Sequence, residues 1–289
     1  MMPSLTTPVA IEPLPFRLEV GDGIVSLGSC FADELAERLS DGGMRAEQNP
    51  FGTLYNPASV ASALERLVDD REITADDLVQ HEGLWHSWHH HGSFSRSTGE
   101  GCLEACNSRI HQAHRALKDA RLLVITFGTA WVFEHEGRVV ANCHKLPQQY
   151  FTRRCMTEEE IVSLWKPLLE KLITYHSSLN ILFTVSPIRH LADGAHGNQL
   201  SKATLLLAVN QLVSLFASRF SFSYFPSYEI VLDELRDYRF YGPDMTHPTS
   251  LAADIVFDRF CQATMSPAVR QQVHNIMKQH KRERHISLH

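Results

Sequence analysis

No apolar run in the 289-residue chain approaches the roughly 18 residues that a membrane-spanning helix requires, so a membrane protein is not expected. The stretch from Met1 to Phe16 lacks the compact apolar segment of a signal peptide, and a cytoplasmic location is the expectation. Positive charge is also short: 27 Lys and Arg face 33 Asp and Glu, a net charge of -6, which leaves no electrostatic footprint for nucleic acid. The one basic cluster, Lys278, Lys281, Arg282 and Arg284, lies in the tail. Cysteine is sparse, six residues scattered at Cys30, Cys102, Cys106, Cys143, Cys155 and Cys261, which argues for reduced thiols over a disulfide framework. Cys102 and Cys106 have no second pair to complete a tetrahedral zinc site, so no metal is expected. Phosphate-loop and G-x-S-x-G motifs are absent, and Gly21-x-Gly23-x-x-Ser26 precedes its strand where a dinucleotide fingerprint would follow it, so no cofactor is expected either.

What remains is ordinary globular material, 44% hydrophobic and 21% charged, organised as strands alternating with helices. Residues 1–22, with prolines at 3, 8, 13 and 15, read as an extended arm; 23–264 read as a single domain; 265–289 read as a polar helical tail. Strands are expected at about 23–28, 122–127, 180–185 and 222–225. Helices are expected at about 31–39, from Asn56-Pro57 to Val68, at 104–118, from Thr157 to Tyr175, at 199–218 and at 249–263. Thr157 with Glu160 makes a capping box, and Asn56 before Pro57 an N-cap with proline at the first helical position. Trp131 to Phe133 and Val139 to Ala141 flank Gly137 as a hairpin. Residues 71–103, dense in histidine and aromatics, read as an inserted subdomain, where the His86, His89, His90 and His91 cluster is assigned to packing or substrate contact and not to metal. The alternation implies a parallel sheet with helices on both faces.

Two constellations carry chemistry. Ile24 to Asp33 is a strand, a glycine turn and a helix start, which places Ser29 and Cys30 at a strand's carboxyl end beside free N–H groups. Asp244-x-x-His247 sits in a turn ahead of the last core helix, a spacing at which the carboxylate can fix a histidine tautomer. Either Ser29 or Cys30 could be the nucleophile; a thiol ionises more readily at a helix N-terminus, and Ser29 is the simpler helix cap. Asp33 and Glu34 oppose that ionisation, though side chains in a first helical turn normally point to solvent.

The chain resembles the GSCFA family, grouped with the SGNH (GDSL-like) hydrolases. Gly28-Ser29-Cys30-Phe31-Ala32 is that family's signature, accompanied by Pro50-Phe51-Gly52, Tyr55-Asn56-Pro57, Gly128-Thr129-Ala130-Trp131, Asn142-Cys143-His144, Ser186-Pro187-Ile188-Arg189-His190, Asn198-Gln199-Leu200-Ser201-Lys202 and His247-Pro248. The resemblance implies a three-layer α/β/α, flavodoxin-like fold with a parallel sheet. It places Cys30 where the clan has its serine, gives His247 and Asp244 the roles of base and orienter, and makes Gly52 and the Cys30 N–H oxyanion donors. Ala130 stands where the clan has an asparagine donor; Thr129, Asn56 and Asn142 are the replacements, Thr129 first. Ser29, Asn56, Asn142, His144, Arg189 and His190 are expected to line a polar pocket, Arg189 in contact with an anion. The implied activity is hydrolysis of an acyl ester or thioester through a Cys30 acyl-enzyme. The alternatives are acyl transfer, for example from acyl-CoA, to a sugar or amine, and non-catalytic ligand binding. The expected partner is a small-molecule or carbohydrate acyl substrate.

Overall fold

A computed structural model describes residues 6–217 and 222–286. The chain enters β1 (Gly23–Gly28), passes through Ser29 into α1 (Cys30–Asp41) and returns in β2 (Arg45–Gln48). There follow α2 (Pro57–Asp69), a hairpin of β3 (Leu78–His81) and β4 (Leu84–Ser87), α3 (Gly99–Lys118) and β5 (Ala120–Phe127). A second sheet is made by β6 (Trp131–His135), β7 (Arg138–Val140) and β8 (Thr152–Cys155). The chain closes with α4 (Glu158–Tyr175), β9 (Asn180–Val185), α5 (Gly194–Phe216), β10 (Phe222–Tyr224), the single turn α6 (Ser227–Glu229), α7 (Ser250–Thr264) and α8 (Pro267–Ile286).

The central sheet has five strands in the order β10-β9-β5-β1-β2, every pairing parallel, the flavodoxin-like order. Because successive residues of a strand face opposite ways, each strand feeds two cores. Val25, Leu27, Leu123, Ile125, Ile181 and Phe183 pack under α2, α3, α4 and α5, while Ile24, Leu122, Val124 and Leu182 pack against α1, α7 and α8. Helices therefore cover both faces, in three layers. Leu14, Phe16 and Leu18 of the N-terminal arm are buried in the second core, and the Leu18 N–H donates to Thr264 O at 2.8 Å.

The expected caps are present. Asn56 Oδ1 accepts the Ser59 N–H at 2.8 Å, and Thr157 and Glu160 close a reciprocal capping box. Two helices begin earlier than expected, α3 at Gly99 and α5 at Gly194; the expected end of the latter, 218, lies outside the described residues. The β3–β4 hairpin lies in the insertion, where the sequence shows no clean period, and β2 and β8 are likewise not expected from it. Arg45-Ala46-Glu47-Gln48 is an edge strand and Thr152-Arg153-Arg154-Cys155 the rim of the small sheet, so neither buries a face nor carries an apolar signal.

The turn after β1 fixes the architecture of the site. Gly28 has φ +137°, and a Cβ built on it would lie 2.0 Å from Thr126 O on the neighbouring strand β5. Its N–H donates to Asn49 Oδ1 at 2.8 Å, and Asn49 Nδ2 donates to Asp33 Oδ1 at 2.8 Å. Asn49 thus ties the strand end to the first turn of α1, a role with no sequence motif behind it. Asn49→Ala is expected to lower unfolding free energy by about 1–3 kcal/mol, the cost of leaving a buried donor unpaired, as read from urea denaturation.

Candidate functional site

In a sheet of this order, the chain leaves β1 first toward β2 and later crosses to β5 on the other side, so a crevice opens at the carboxyl ends of β1 and β5. A cavity of about 970 Å³ lies against these ends. Cys30 borders it from the start of α1, Tyr55 and Asn56 from the α2 entry, Thr129 from the loop after β5, His190 from the loop after β9 and His247 from the loop before α7. The small sheet supplies the facing wall with Trp131, Phe133 and Arg153.

Asp244 and His247 form a close polar pair at the site. His247 Nδ1 lies 2.5 Å from Asp244 Oδ2, and Asp244 Oδ1 accepts the backbone N–H groups of Thr246 and His247, each at 3.0 Å. The His247 backbone N–H, the Thr246 N–H and the imidazole hold the Asp244 carboxyl well below the usual carboxylate range. With Nδ1–H turned to Asp244, Nε2 is the nitrogen left for proton transfer. The loop is closed by Gly242 N–H to His247 O at 2.8 Å and joined to the loop after β9 by Arg189 N–H to Thr246 O at 3.1 Å.

Cys30 and His247 border the same cavity, and among the described residues no hydrogen bond joins them. The Cys30 thiol does not show the lowered pKa expected of a helix N-terminus. Burial raises it first and the Asp33 carboxylate second, against a smaller lowering by the Cys30 and Phe31 N–H groups. Asp33 does not point to solvent: it is held by Asn49 and by Thr53 Oγ1 at 3.3 Å, with its charge kept near the sulfur. The resting group is a thiol, so its alkylation by iodoacetamide should be slow at pH 7 and rise with pH through and beyond 9. Asp33→Asn removes a pKa-raising charge, and its alkylation profile is expected to move to lower pH, followed by mass spectrometry of the Cys30 peptide.

Ser29 occupies the N-cap position of α1, but its side chain makes no capping bond; Oγ is buried without a protein partner and Ser29 does not border the cavity. Gly52 is not an oxyanion donor. Its N–H is spent on Asn49 O at 2.7 Å, and at φ +73° a Cβ there would meet His91 Cβ at 2.4 Å, so glycine is required by packing against His91. The Thr129 N–H is likewise committed, to Tyr55 O at 2.9 Å. Thr129 borders the cavity; its Oγ1 accepts the Trp131 N–H at 3.2 Å and pairs with Ser201 Oγ at 3.0 Å, which leaves a hydroxyl hydrogen available when Ser201 is the donor. Asn56 is the better placed amide. Since Oδ1 caps α2, Nδ2 is the group left over, without a partner among the described residues. Ala130, where the SGNH pattern has asparagine, is buried away from the cavity, with its N–H on Ser201 Oγ at 2.8 Å.

Asn142, Arg189 and His190 border the cavity as expected. His144 does not: Nε2 lies 2.8 Å from Ser87 O, the ring stacks on His86 at 4.5 Å, and burial lowers its pKa to about 4. The histidines of the 71–103 insertion are also engaged in packing and hydrogen bonds. His89 pairs with Asp77 at 3.0 Å, and His90 stacks on Phe51 with the Phe94 ring tilted against it. No group of three or more His, Cys, Asp or Glu that could hold a metal occurs among the described residues.

Sequence reasoning gave no role to the polar stripe of α5. Asn198, Ser201 and Lys202, on one helix face at spacings of three and four, are buried and hold both loops over the cavity. Asn198 Oδ1 accepts the His190 N–H at 2.8 Å, Ser201 accepts the Ala130 N–H, and Lys202 Nζ donates to Gly128 O at 2.6 Å and Ser186 O at 2.7 Å. Desolvation first, then the Arg189 charge, lowers Lys202 to about 7. Polar residues three and four apart inside an apolar helix were the available signal.

The fold and the crevice define a parallel α/β domain in which a carboxylate-held histidine and a helix-borne cysteine border one cavity at the topological switch point. The chain belongs to the GSCFA family, whose model matches residues 23–260. Comparison with curated proteins gave no match. Among solved structures the chain is similar to a family two carbohydrate esterase from Clostridium thermocellum, determined in complex with cellohexaose. Identity is 11% and the TM-score 0.39, covering 88% of this chain and 65% of that one. It is similar also to an acetyl xylan esterase from the rumen bacterium Butyrivibrio proteoclasticus, with 11% identity, a TM-score of 0.39 and coverage of 86% and 65%. The chain thus spans about two thirds of the length of these two structures. No helix among the described residues is long and apolar enough to cross a membrane.

Proposed function

We propose that this protein hydrolyses acyl esters or thioesters through an acyl-enzyme on Cys30. The observation that carries the reading is that Cys30, on a helix N-terminus, and His247, oriented by Asp244, border one cavity. His247 Nε2 takes the thiol proton as Sγ attacks the carbonyl carbon, and the bond to the leaving oxygen or sulfur breaks as that atom receives the proton. Water then attacks the thioester, giving its proton to His247; the carbon–sulfur bond breaks and the proton returns to Cys30. The raised thiol pKa favours this concerted removal over a preformed ion pair. The Cys30 N–H, Asn56 Nδ2 and the Thr129 hydroxyl are the donors for the developing oxyanion, Asn56 taking the place assigned to Gly52 by resemblance.

A cavity of about 970 Å³ with an aromatic wall of Trp131 and Phe133 also has room for an acceptor beside an acyl chain, which favours acyl transfer to a sugar or amine as the second reading. Incubation with aryl esters and acyl-pantetheine thioesters, with and without added sugars and amines, separates the two. Free carboxylate in every mixture supports hydrolysis, and acylated acceptor at its expense supports transfer. Absence of turnover and of labelling by a thiol-directed acylating probe would leave a ligand-binding protein.

A further inference from the structure

The steps above leave the cations of the cavity unused. Arg153 on the small sheet is neutralised by Asp193 and lies over the Trp131 ring, 4.2 Å from its centroid. Asp244 is engaged with His247. Arg189 differs from both: it borders the cavity, half-buried, with no carboxylate or other side-chain partner among the described residues, and its Nε is buried without an acceptor. Beneath it, Lys202 is buried and bonded only to the carbonyls of Gly128 and Ser186. The Arg189 charge reaches Lys202, and among the described residues neither is in an ion pair with a carboxylate. A partly desolvated guanidinium facing a cavity with no acceptor is costly in the folded state. In a protein of net charge -6, such a guanidinium at the crevice, with the Lys202 ammonium buried near it, attracts anions there. The backbone supports the placement, since the Arg189 N–H is bonded to Thr246 O beside His247 and the adjacent His190 N–H is bonded to Asn198.

We propose that Arg189, with Lys202 behind it, is an anion-binding subsite, so that the substrate carries a carboxylate or phosphate group held by the guanidinium fork. The inference rests on the reading that this cavity binds substrate, and it is independent of whether the acyl group goes to water or to another acceptor. A carboxylate would belong to the far end of a dicarboxylic acyl chain, and a phosphate to a phosphorylated leaving group.

The test is calorimetric titration of the full chain carrying Cys30→Ala, which excludes turnover, with adipate, inorganic phosphate and neutral adipamide. Binding of at least one of the two anions is expected, with adipamide at least about tenfold weaker. Adipate alone identifies the acyl chain as the source of charge, and phosphate alone the leaving group. In the same background Arg189→Gln is expected to weaken the bound anion about tenfold or more, and Arg189→Lys, which keeps the charge and loses the fork, by less. A melting curve checks that each variant is folded, and the Arg189→Lys comparison stands should Arg189→Gln fail to fold. The proposal is overturned if neither anion binds, if adipamide binds as well as adipate, or if Arg189→Gln changes affinity less than twofold. Arg189-dependent anion binding without any ester or thioester turnover by the unmutated chain would sink the hydrolase reading and leave this one standing. Turnover without anion binding would do the reverse.

Discussion

Cys30→Ala is expected to lower kcat for ester or thioester hydrolysis by about 10⁴-fold or more, with a smaller change in KM. On the proposed mechanism Sγ forms the covalent intermediate, so its removal leaves only binding and oxyanion donors, whose residual contribution is about 10³–10⁴ over water. The loss should be similar for His247→Ala, because Cys30 rests as a thiol and needs a base, and the double variant should lose little more than either alone. Ser29→Ala separates the two adjacent candidates. Ser29 Oγ is buried and does not border the cavity, so this variant is expected to stay within about tenfold of the wild type, a loss of at most about 1.4 kcal/mol in transition-state binding. Full turnover by Cys30→Ala together with an inactive Ser29→Ala would reverse the assignment.

Gly28→Ala is expected to cost about 4 kcal/mol or more in unfolding free energy, or to abolish folding, as measured by urea denaturation. Two independent features demand glycine. The φ of +137° lies outside the ranges open to an L-residue, and the added methyl would sit 2.0 Å from the Thr126 carbonyl oxygen. That oxygen cannot retreat, because it accepts the Ser29 N–H at 3.1 Å and belongs to a central strand paired on both sides. The close approach of β1 to β5 sets the spacing of the crevice, so a folded Gly28→Ala variant would also be expected to lose turnover. The first glycine of the signature thus serves the backbone, and the proposed mechanism gives the chemistry to the cysteine two residues later.

How much of this was legible in the sequence depends on whether the signal was local. The β1 to α1 junction, the Asn56 cap, the Thr157 to Glu160 box and the Asp244 to His247 spacing are each written within a few residues, and each appears in the structure as read. Gly52 and His144 were misassigned because their environments come from distant segments. One N–H is consumed by a turn to Asn49, and one imidazole is enclosed by Ser87 and His86. The Cys30 pKa was misjudged for a related reason: the helix N-terminus is visible in sequence, but the burial and the Asn49 clamp that hold Asp33 near the sulfur are not. Ala130 looked like a missing donor, yet it lies outside the cavity, and Asn56 presents an amide from a different element. The α5 stripe of Asn198, Ser201 and Lys202 stood in the sequence without a role, since the groups it binds lie in two loops, after β5 and after β9, that only the fold brings to it.

The most direct test is rapid acid quench of the wild-type protein with an acyl-pantetheine thioester or aryl ester, followed by trypsin digestion and mass analysis of the Leu18–Arg38 peptide. The expected result is one acyl mass on Cys30, released by neutral hydroxylamine as a thioester and formed far more slowly when His247 is replaced by alanine. Acylation of Ser29, or turnover with no acyl group on this peptide at any quench time, would contradict a cysteine acyl-enzyme.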